Sequence, residues 1–142
     1  MSGRFGWAEL AGRVITECRV EDHVSNDTRT PLRVGLSFAD GSTVTLGGAP
    51  DGQSLQLGDE QLRDYDMAEH GRVEVRREGP PCDVLAPGAC IRAAVPLVDE
   101  DGLTMGLRLE TDTGVVHIYN WGDELCIERD LPDFVRATLI GI

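Results

Sequence analysis

The chain contains no lysine. All 13 of its basic residues are arginine, against 25 acidic residues, so the formal net charge is −12. Proteins that bind nucleic acid through phosphates need a basic surface, and this balance therefore predicts no nucleic-acid partner. A strongly negative field instead favours solubility and the attraction of a cationic partner.

Long apolar runs are also missing. No stretch approaches the roughly 18 apolar residues of a membrane span, and the first residues lack the apolar segment of a signal peptide. We therefore expect a cytoplasmic protein without a membrane partner. The four cysteines, Cys18, Cys82, Cys90 and Cys126, form no CxxC unit, and we expect buried reduced thiols.

Linear motifs of catalysis are absent: there is no GxSxG, no HExxH and no glycine-rich phosphate loop before a helix. The histidines His23, His70 and His117 are far apart and lack the spacing of metal ligands. We therefore predict no metal and no cofactor, and we expect binding rather than catalysis. A small β domain can nevertheless catalyse with residues that form no linear motif.

What the sequence does contain is alternation of apolar and polar residues, interrupted by Gly, Asp and Pro. This pattern predicts an all-β protein of about ten short strands, and 142 residues suit a single domain, 1–142. Helix signals are confined to Gly6 to Leu10 and, more weakly, to Leu62 to Glu69. At most one or two short helices are expected.

The sequence also repeats itself. LRVGLSFADGSTVTL, from Leu32, matches LTMGLRLETDTGVVHI, from Leu103, and this alignment places Gly35 on Gly106 and Val44 on Val116. We predict two repeats, at about 12–78 and 88–141, joined by a proline-rich linker at 79–87. The repeats should pack about a pseudo-twofold axis as one sandwich or partly closed barrel.

Strand positions follow from the alternation and the turn signals. Asp40-Gly41 and Asp101-Gly102 predict tight hairpins, and His23 to Pro31 is predicted to be a polar loop. The predicted strands are 13–20, 32–39, 42–46, 54–57 and 72–76 in the first repeat, and 89–97, 103–110, 115–119, 124–127 and 134–140 in the second.

One short segment, YNWGDEL at 119–125, combines aromatic residues with acids. Turn chemistry explains Asn120, Gly122 and Asp123 but leaves Tyr119 and Trp121 unexplained. Aromatic rings beside carboxylates can hold a sugar or a cation, while a tight turn with a ring covering the core is the alternative. The ligand-binding candidates are His117, Tyr119, Asn120, Trp121, Asp123 and Glu124.

Acidic residues are concentrated after the fourth strand of each repeat. Such patches could bind a basic partner by complementary charge, and a solvated surface is the alternative. The partner-binding candidates are Asp59, Glu60, Asp64, Asp66, Glu128, Asp130 and Asp133.

The segment GLRLETDTGVVHIYNWGDEL resembles a pattern of small, acidic, uncharacterised proteins of actinomycetes, some of which are similar to immunity proteins of bacterial toxin systems. The resemblance covers about the second half of the chain and implies a binding role without assigning residues to it. The leading expectation is a protein-binding module, such as an inhibitor or immunity protein for a basic partner. The alternatives are a small-molecule or sugar-binding β domain with weak enzymatic activity, and a structural homodimer that pairs through edge strands.

Overall fold

The computed structural model describes residues 6–140, so the first and last residues of the predicted domain lie outside it. These residues form ten strands, one short α-helix and two 3-10 turns. In order these are a 3-10 turn at Trp7–Leu10, β1 (Ile15–Ser25), β2 (Thr28–Phe38), β3 (Thr43–Gly48), β4 (Leu55–Gly58), β5 (Tyr65–Asp66), a 3-10 turn at Ala68–His70, β6 (Arg72–Arg76), β7 (Ile91–Val98), β8 (Thr104–Thr111), β9 (Gly114–Trp121), β10 (Glu124–Glu128) and α1 (Asp133–Arg136).

The strands form two antiparallel sheets, which confirms the all-β prediction. Sheet one has the order β4-β3-β2-β1-β6-β5, and sheet two has the order β10-β9-β8-β7. Their inner faces pack together, because alternate strand residues such as Val34 and Leu36 in β2, and Leu107 and Leu109 in β8, belong to one buried cluster. Of the two predicted architectures, the described residues therefore adopt the open sandwich.

The same four-strand meander occurs in both sheets, since β1-β2-β3-β4 and β7-β8-β9-β10 have the same order and pairing. Both copies carry a register shift at the start of the first hairpin, after Ile15 in β1 and after Ile91 in β7. Between the copies, Val14 and Cys90 pair with each other. Two matched pairs of backbone hydrogen bonds surround this bridge. In the first pair, Gly12 N–H donates to Ile91 O and Gly88 N–H donates to Ile15 O, both at 2.7 Å. In the second pair, Ile15 N–H donates to Ala89 O at 2.8 Å and Ile91 N–H donates to Arg13 O at 2.9 Å.

Strand pairing corrects one part of the repeat alignment. Leu36 pairs with Val44 in sheet one, whereas the partner of Val116 in sheet two is Leu109. If Val44 corresponds to Val116, then Leu36 corresponds to Leu109, two residues further along than the sequence alignment placed it. A shift of two residues keeps every side chain on the same face, so the apolar pattern does not reveal it.

The predicted loop from His23 to Pro31 is wrong. β1 and β2 continue through it as one long hairpin, closed by a two-residue turn in which Asn26 and Asp27 have φ of 49° and 68°. Asn and Asp tolerate this left-handed conformation, and a primed turn matches the twist of paired strands. The polar sequence belongs to a hairpin tip, where residues 26–29 are exposed.

The predicted strand at 134–140 is also wrong. Its first residues form α1, and only Leu139 pairs with a strand, through a single bridge to Asp99 beyond the end of β7. The weak helix at Leu62 to Glu69 becomes β5 and a 3-10 turn, because Tyr65 and Asp66 pair with β6. The 3-10 turn at Trp7–Leu10 lies within the first predicted helix, and its last residue, Leu10, is buried.

Residues 79–87, predicted to be a linker, contribute to the core. Proline fixes the path of this segment, in which the Pro80–Pro81 peptide bond is cis, and Cys82, Val84 and Leu85 are buried in the cluster between the sheets. The segment thus closes one side of the sandwich instead of separating two bodies. Within residues 6–140, no helix is long and apolar enough to cross a membrane.

Candidate functional site

The YNWGDEL segment is a hairpin. β9 ends at Trp121, β10 begins at Glu124, and the turn between them places Gly122 and Asp123 at φ of 57° and 70°. These φ values are those of a tight primed turn, so turn formation accounts for the backbone conformation of this segment. The indole of Trp121 packs edge-on against the ring of Phe134 in α1, with ring centroids 5.3 Å apart.

The six ligand candidates do not lie on one surface. His117, Tyr119 and Trp121 alternate with core residues and lie on the outer face of sheet two, whereas the Asn120 side chain lies on the other face. Its amide Nδ2 donates to the carbonyl of Ser54, 3.1 Å away. Asp123 is exposed in the turn, and its N–H donates to Gly52 O at 3.2 Å. The corresponding turns of the two repeats therefore touch.

His117 and Tyr119 are both buried and hydrogen-bonded. The Nδ1 atom of His117 lies 2.9 Å from the carbonyl of Arg129, and burial lowers the pKa of the imidazole below its usual value. The hydroxyl of Tyr119 donates to the carboxylate of Glu128, and burial, followed by this bond, raises its pKa. His117 thus fixes the start of the segment after β10 against sheet two, and Tyr119 links β9 to the end of β10.

The two acidic runs occupy equivalent positions but face opposite directions. After β4, the chain crosses the outer face of sheet one and inserts Leu62 above Gly35. After β10, it crosses the outer face of sheet two and inserts Leu131 beside Tyr119 and Leu97. A sandwich separates its two outer faces by both sheets and the core, so one flat partner surface cannot contact both runs.

Several of the acidic candidates have partners within the chain. Asp64 accepts a hydrogen bond from the N–H of Val75 at 2.6 Å, and Asp66 accepts one from Ala68 at 2.8 Å. These acids shape the backbone around β5. Asp59, Asp130 and Asp133 are exposed, and Asp133 lies in the first turn of α1.

A polar cavity of about 310 Å³ opens on the outer face of sheet one, beneath the first acidic run. We call it the sheet-one cavity. Its floor contains Gly47 and Gly58, whose missing side chains leave room for Arg33 and Glu60. A second hollow of about 400 Å³, lined in part by Arg63, shares three of its residues. The polar side chains that line the sheet-one cavity are Glu21, Arg33, Thr45, Gln56, Glu60 and Tyr65.

Glu21 is the most unusual residue of this cavity, because its side chain is a carboxylate that is only 1% exposed. Its Oε1 atom accepts from the guanidinium of Arg33, at 3.0 Å from Nε and 2.9 Å from Nη2. Its Oε2 atom is buried and accepts no hydrogen bond from a described residue. Buried carboxylate oxygens are normally hydrogen-bonded, so this atom has an unused acceptor position at the edge of the cavity.

The second carboxylate, Glu60, accepts from the Thr45 hydroxyl at 2.5 Å. This bond, together with its own backbone N–H and the nearby charge of Arg33, holds the pKa of Glu60 below its usual value. Glu60 therefore carries a negative charge at neutral pH. Glu21, Glu60 and Arg33 together leave an excess of negative charge around the sheet-one cavity, and this excess suits a cationic donor.

Sequence reasoning selected Glu60 but missed Glu21 and Arg33. A usable signal was present, since Glu21-Asp22 places two acids within an otherwise alternating strand. Adjacent residues of a strand point towards opposite faces of the sheet, so at least one of these two acids is expected on a buried face. A buried acid needs a hydrogen-bonding or charged partner. The Oδ2 atom of Asp22 has Arg76 at 2.6 Å and Arg29 at 3.3 Å, whereas its Oδ1 atom, like Oε2 of Glu21, is buried without a hydrogen-bond partner among the described residues.

No group of three or more His, Cys, Asp or Glu residues in the described part of the chain is arranged to hold a metal ion. Comparison with protein-family models, with curated proteins and with solved structures finds no match for this chain. The functional argument therefore depends on the geometry of the chain itself.

Proposed function

We propose that the protein is a cytosolic binding module that holds a basic partner protein, in the manner of an inhibitor or immunity protein. The observation that carries this proposal is the buried carboxylate of Glu21, one oxygen of which has no donor among residues 6–140. A guanidinium or ammonium group from a partner supplies both the donor and the positive charge that this oxygen favours.

The surroundings of the sheet-one cavity support a protein partner over a small cation. Asp59 and Glu60 belong to a run that crosses the cavity, and Tyr65, 42% exposed, adds an aromatic ring at its mouth. An arginine or lysine side chain could enter beside Glu21 while the surface around it meets the acidic run. Tyrosine on one surface and arginine on the other are among the residue types that contribute most to protein interfaces.

The net charge of −12 supports fast association with a basic protein. Long-range attraction raises the rate of encounter, while a buried charge pair mainly slows dissociation. The partner is expected to bind on sheet one, because the first acidic run and the sheet-one cavity share that face.

The test begins with capture of a basic protein from lysate on the immobilised chain, followed by direct binding measurements with the purified partner. The variant Glu21→Gln removes the charge at nearly constant shape, and the double variant Asp130→Asn/Asp133→Asn serves as the control on the opposite face. We expect Glu21→Gln to weaken binding about 30-fold or more, and the control to change it by less than about threefold.

Salt dependence provides the second measurement. Affinity should fall steadily between about 50 and 500 mM salt, because charged groups at the rim are screened over this range. Binding that ignores salt and survives Glu21→Gln unchanged would refute the proposal. Arg33 is partly exposed, so Glu21→Gln leaves it within reach of water, and the far-UV spectrum and unfolding midpoint of the variant establish that it remains folded.

A further inference from the structure

Sheet two also has a cavity on its outer face, with a volume of about 480 Å³, which we call the sheet-two cavity. It lies between the strands and the segment that leads into α1, in the position that corresponds to the sheet-one cavity. The charged residues that line it are mainly basic, whereas those of the sheet-one cavity are mainly acidic. Three arginines, Arg108, Arg129 and Arg136, line it together with His117, and Asp130 is its one acidic lining residue.

The concentration of arginine is unexpected in a chain with 13 arginines and 25 acids. Arg108 pairs with Glu110 at 3.5 Å, and Arg129 pairs with Asp83 at 2.8 Å. Each guanidinium has five N–H donors, so one ion pair leaves most of them available. Arg136, in the last turn of α1, forms no ion pair with any described residue.

His117 adds an acceptor to this group of donors. A carbonyl oxygen can only accept, so the Nδ1 atom that contacts Arg129 O carries the proton and donates it. Burial disfavours the charged ring, and Arg108 adds repulsion, so the pKa of His117 is lowered and the imidazole is neutral at pH 7. Its Nε2 atom is then an acceptor.

The rest of the wall is apolar. Val95, Leu97 and Val115 lie on the outer face of β7 and at the start of β9, and Val95 is 43% exposed although it is aliphatic. Ligand sites of similar volume combine apolar walls with a few directed polar groups. A ligand that fits this wall has an apolar part as well as an anionic group.

We propose that the sheet-two cavity binds a small amphiphilic oxyanion, a carboxylate or phosphate carried on a short apolar chain. The guanidinium groups of Arg108 and Arg136 bind the anion, and the Val95 and Leu97 side chains contact the chain. Planar guanidinium forks match the geometry of carboxylate and phosphate oxygens. This site is independent of the proposed partner site, because it lies on the opposite face of the sandwich.

The experiment titrates the protein with four probes, hexanoate, hexyl phosphate, inorganic phosphate and hexylamine, and follows backbone amide shifts by NMR at constant pH and salt. We expect hexanoate or hexyl phosphate to shift the amides around His117 and Val95. Preference between these two probes distinguishes the carboxylate from the phosphate. Inorganic phosphate should bind at least tenfold more weakly, since it lacks the apolar part, and hexylamine should not bind there.

Variants locate the site. Arg136→Gln and Arg108→Gln should each weaken binding about tenfold or more, the loss typical of one charge-assisted hydrogen-bonding group. Asp130→Asn should strengthen it two- to fivefold by removing a repulsive charge. Arg92→Gln is the matched control, because Arg92 is exposed on β7 and does not line the cavity, and it should leave affinity unchanged.

Three results would overturn the proposal: no shifts around the cavity with 10 mM probe, equal binding of hexylamine, or equal effects of Arg136→Gln and Arg92→Gln. Arg136→Lys provides a second reading if a Gln variant is unstable. It keeps the charge but loses the planar fork, so intermediate affinity is expected. Binding of a basic protein to sheet one should be unaffected by every one of these variants.

Discussion

Replacing Gly106 by alanine should destabilise the protein severely, although the glycine lies in a regular strand. Gly106 pairs with Tyr119 across β8 and β9, and the Tyr119 side chain folds over it on the outer face. A β-carbon at position 106 would lie 2.4 Å from the carbonyl oxygen of Ile118 and 2.4 Å from the Cβ of Tyr119. Both atoms belong to the neighbouring strand or are fixed by it.

The magnitude follows from what must move. Separations of 2.4 Å fall about 1 Å short of ordinary contact, so β8 and β9 must move apart where Gly106 and Tyr119 pair. Overpacking of this kind costs about 1–3 kcal/mol and occasionally more. Alanine recovers about 0.4–1 kcal/mol by restricting the unfolded chain. Because the contact is with backbone and a β-carbon, the cost should lie near the top of that range, about 3 kcal/mol, and the net loss in the free energy of unfolding should be about 2–2.5 kcal/mol.

Gly35→Ala is the matched control, because this glycine also faces outwards in the second strand of its repeat. Its nearest neighbour would be Leu62 Cδ1, at 3.0 Å, which is the end of a flexible side chain. Leu62 can adjust its rotamer, so we expect a change of no more than about 1 kcal/mol.

Urea unfolding, followed by tryptophan fluorescence and far-UV circular dichroism, measures both variants against the parent protein. Equal midpoints for Gly106→Ala and Gly35→Ala would refute the reasoning, since the two variants differ in the rigidity of the atoms that the new methyl group meets. A further check repeats Gly106→Ala in a Tyr119→Gly background, which removes the β-carbon of residue 119. The added loss from Gly106→Ala should be smaller there than in the parent protein, while the contact with Ile118 O remains.

Three further predictions concern other parts of the molecule. The pKa of His117 is lowered in the folded protein, so its contribution to stability is complete above pH 6.5 and is lost as the pH falls below that value. The urea midpoint of the parent protein should therefore decline between pH 7 and 5.5. The midpoint of His117→Gln should decline less over the same range. Both positions of the β1–β2 turn, Asn26 and Asp27, have positive φ. Glycine adopts this conformation without strain, so Asp27→Gly should raise the free energy of unfolding by about 0.5–1 kcal/mol. A β-branched residue does not, so Asn26→Val should lower it by about 1–2 kcal/mol, and unfolding midpoints measure both changes. The Sγ atoms of Cys18 and Cys82 are 2.9 Å apart and buried, so diamide treatment should link these two thiols. They are 64 positions apart in the chain, and the chain-entropy model predicts that this disulfide adds about 4 kcal/mol to the free energy of unfolding. Peptide mapping that finds any other pairing would contradict this prediction.

Periodicity in the sequence was sufficient to predict the sheets, because each strand buries one face. Leu36 and Val44 lie between small or polar residues, and Leu109 in the second repeat lies between Arg108 and Glu110. Such a pattern satisfies only a strand with one side in a core. The symmetric pairing of Val14 with Cys90 agrees with the pseudo-twofold axis that the repeat implies. Asp40-Gly41 and Asp101-Gly102 lie in the turns between β2 and β3 and between β7 and β8, with the glycines at φ of 89° and 83°, so local turn chemistry was sufficient at both places.

The candidate site was less accessible from the sequence. The YNWGDEL segment attracted attention because its aromatic residues are rare in this chain, yet Tyr119 contacts Glu128, and Trp121 contacts Phe134. Glu21 and Arg33 are 12 positions apart and become neighbours only through the register of β1 and β2. The opposite charges of the two outer cavities depend in the same way on which residues the pairing brings together.

The sequence by itself therefore determined the secondary-structure class, the repeated meander and the negative field, since these depend on local alternation, turn residues and summed charge. The tertiary structure alone decided the two-residue shift between the repeats, the folding of each acidic run over its own sheet, and the isolation of one oxygen of Glu21. Those features arise from contacts between distant residues. A shift of two residues preserves the alternation on which sequence analysis depends, but it replaces every neighbour in a site.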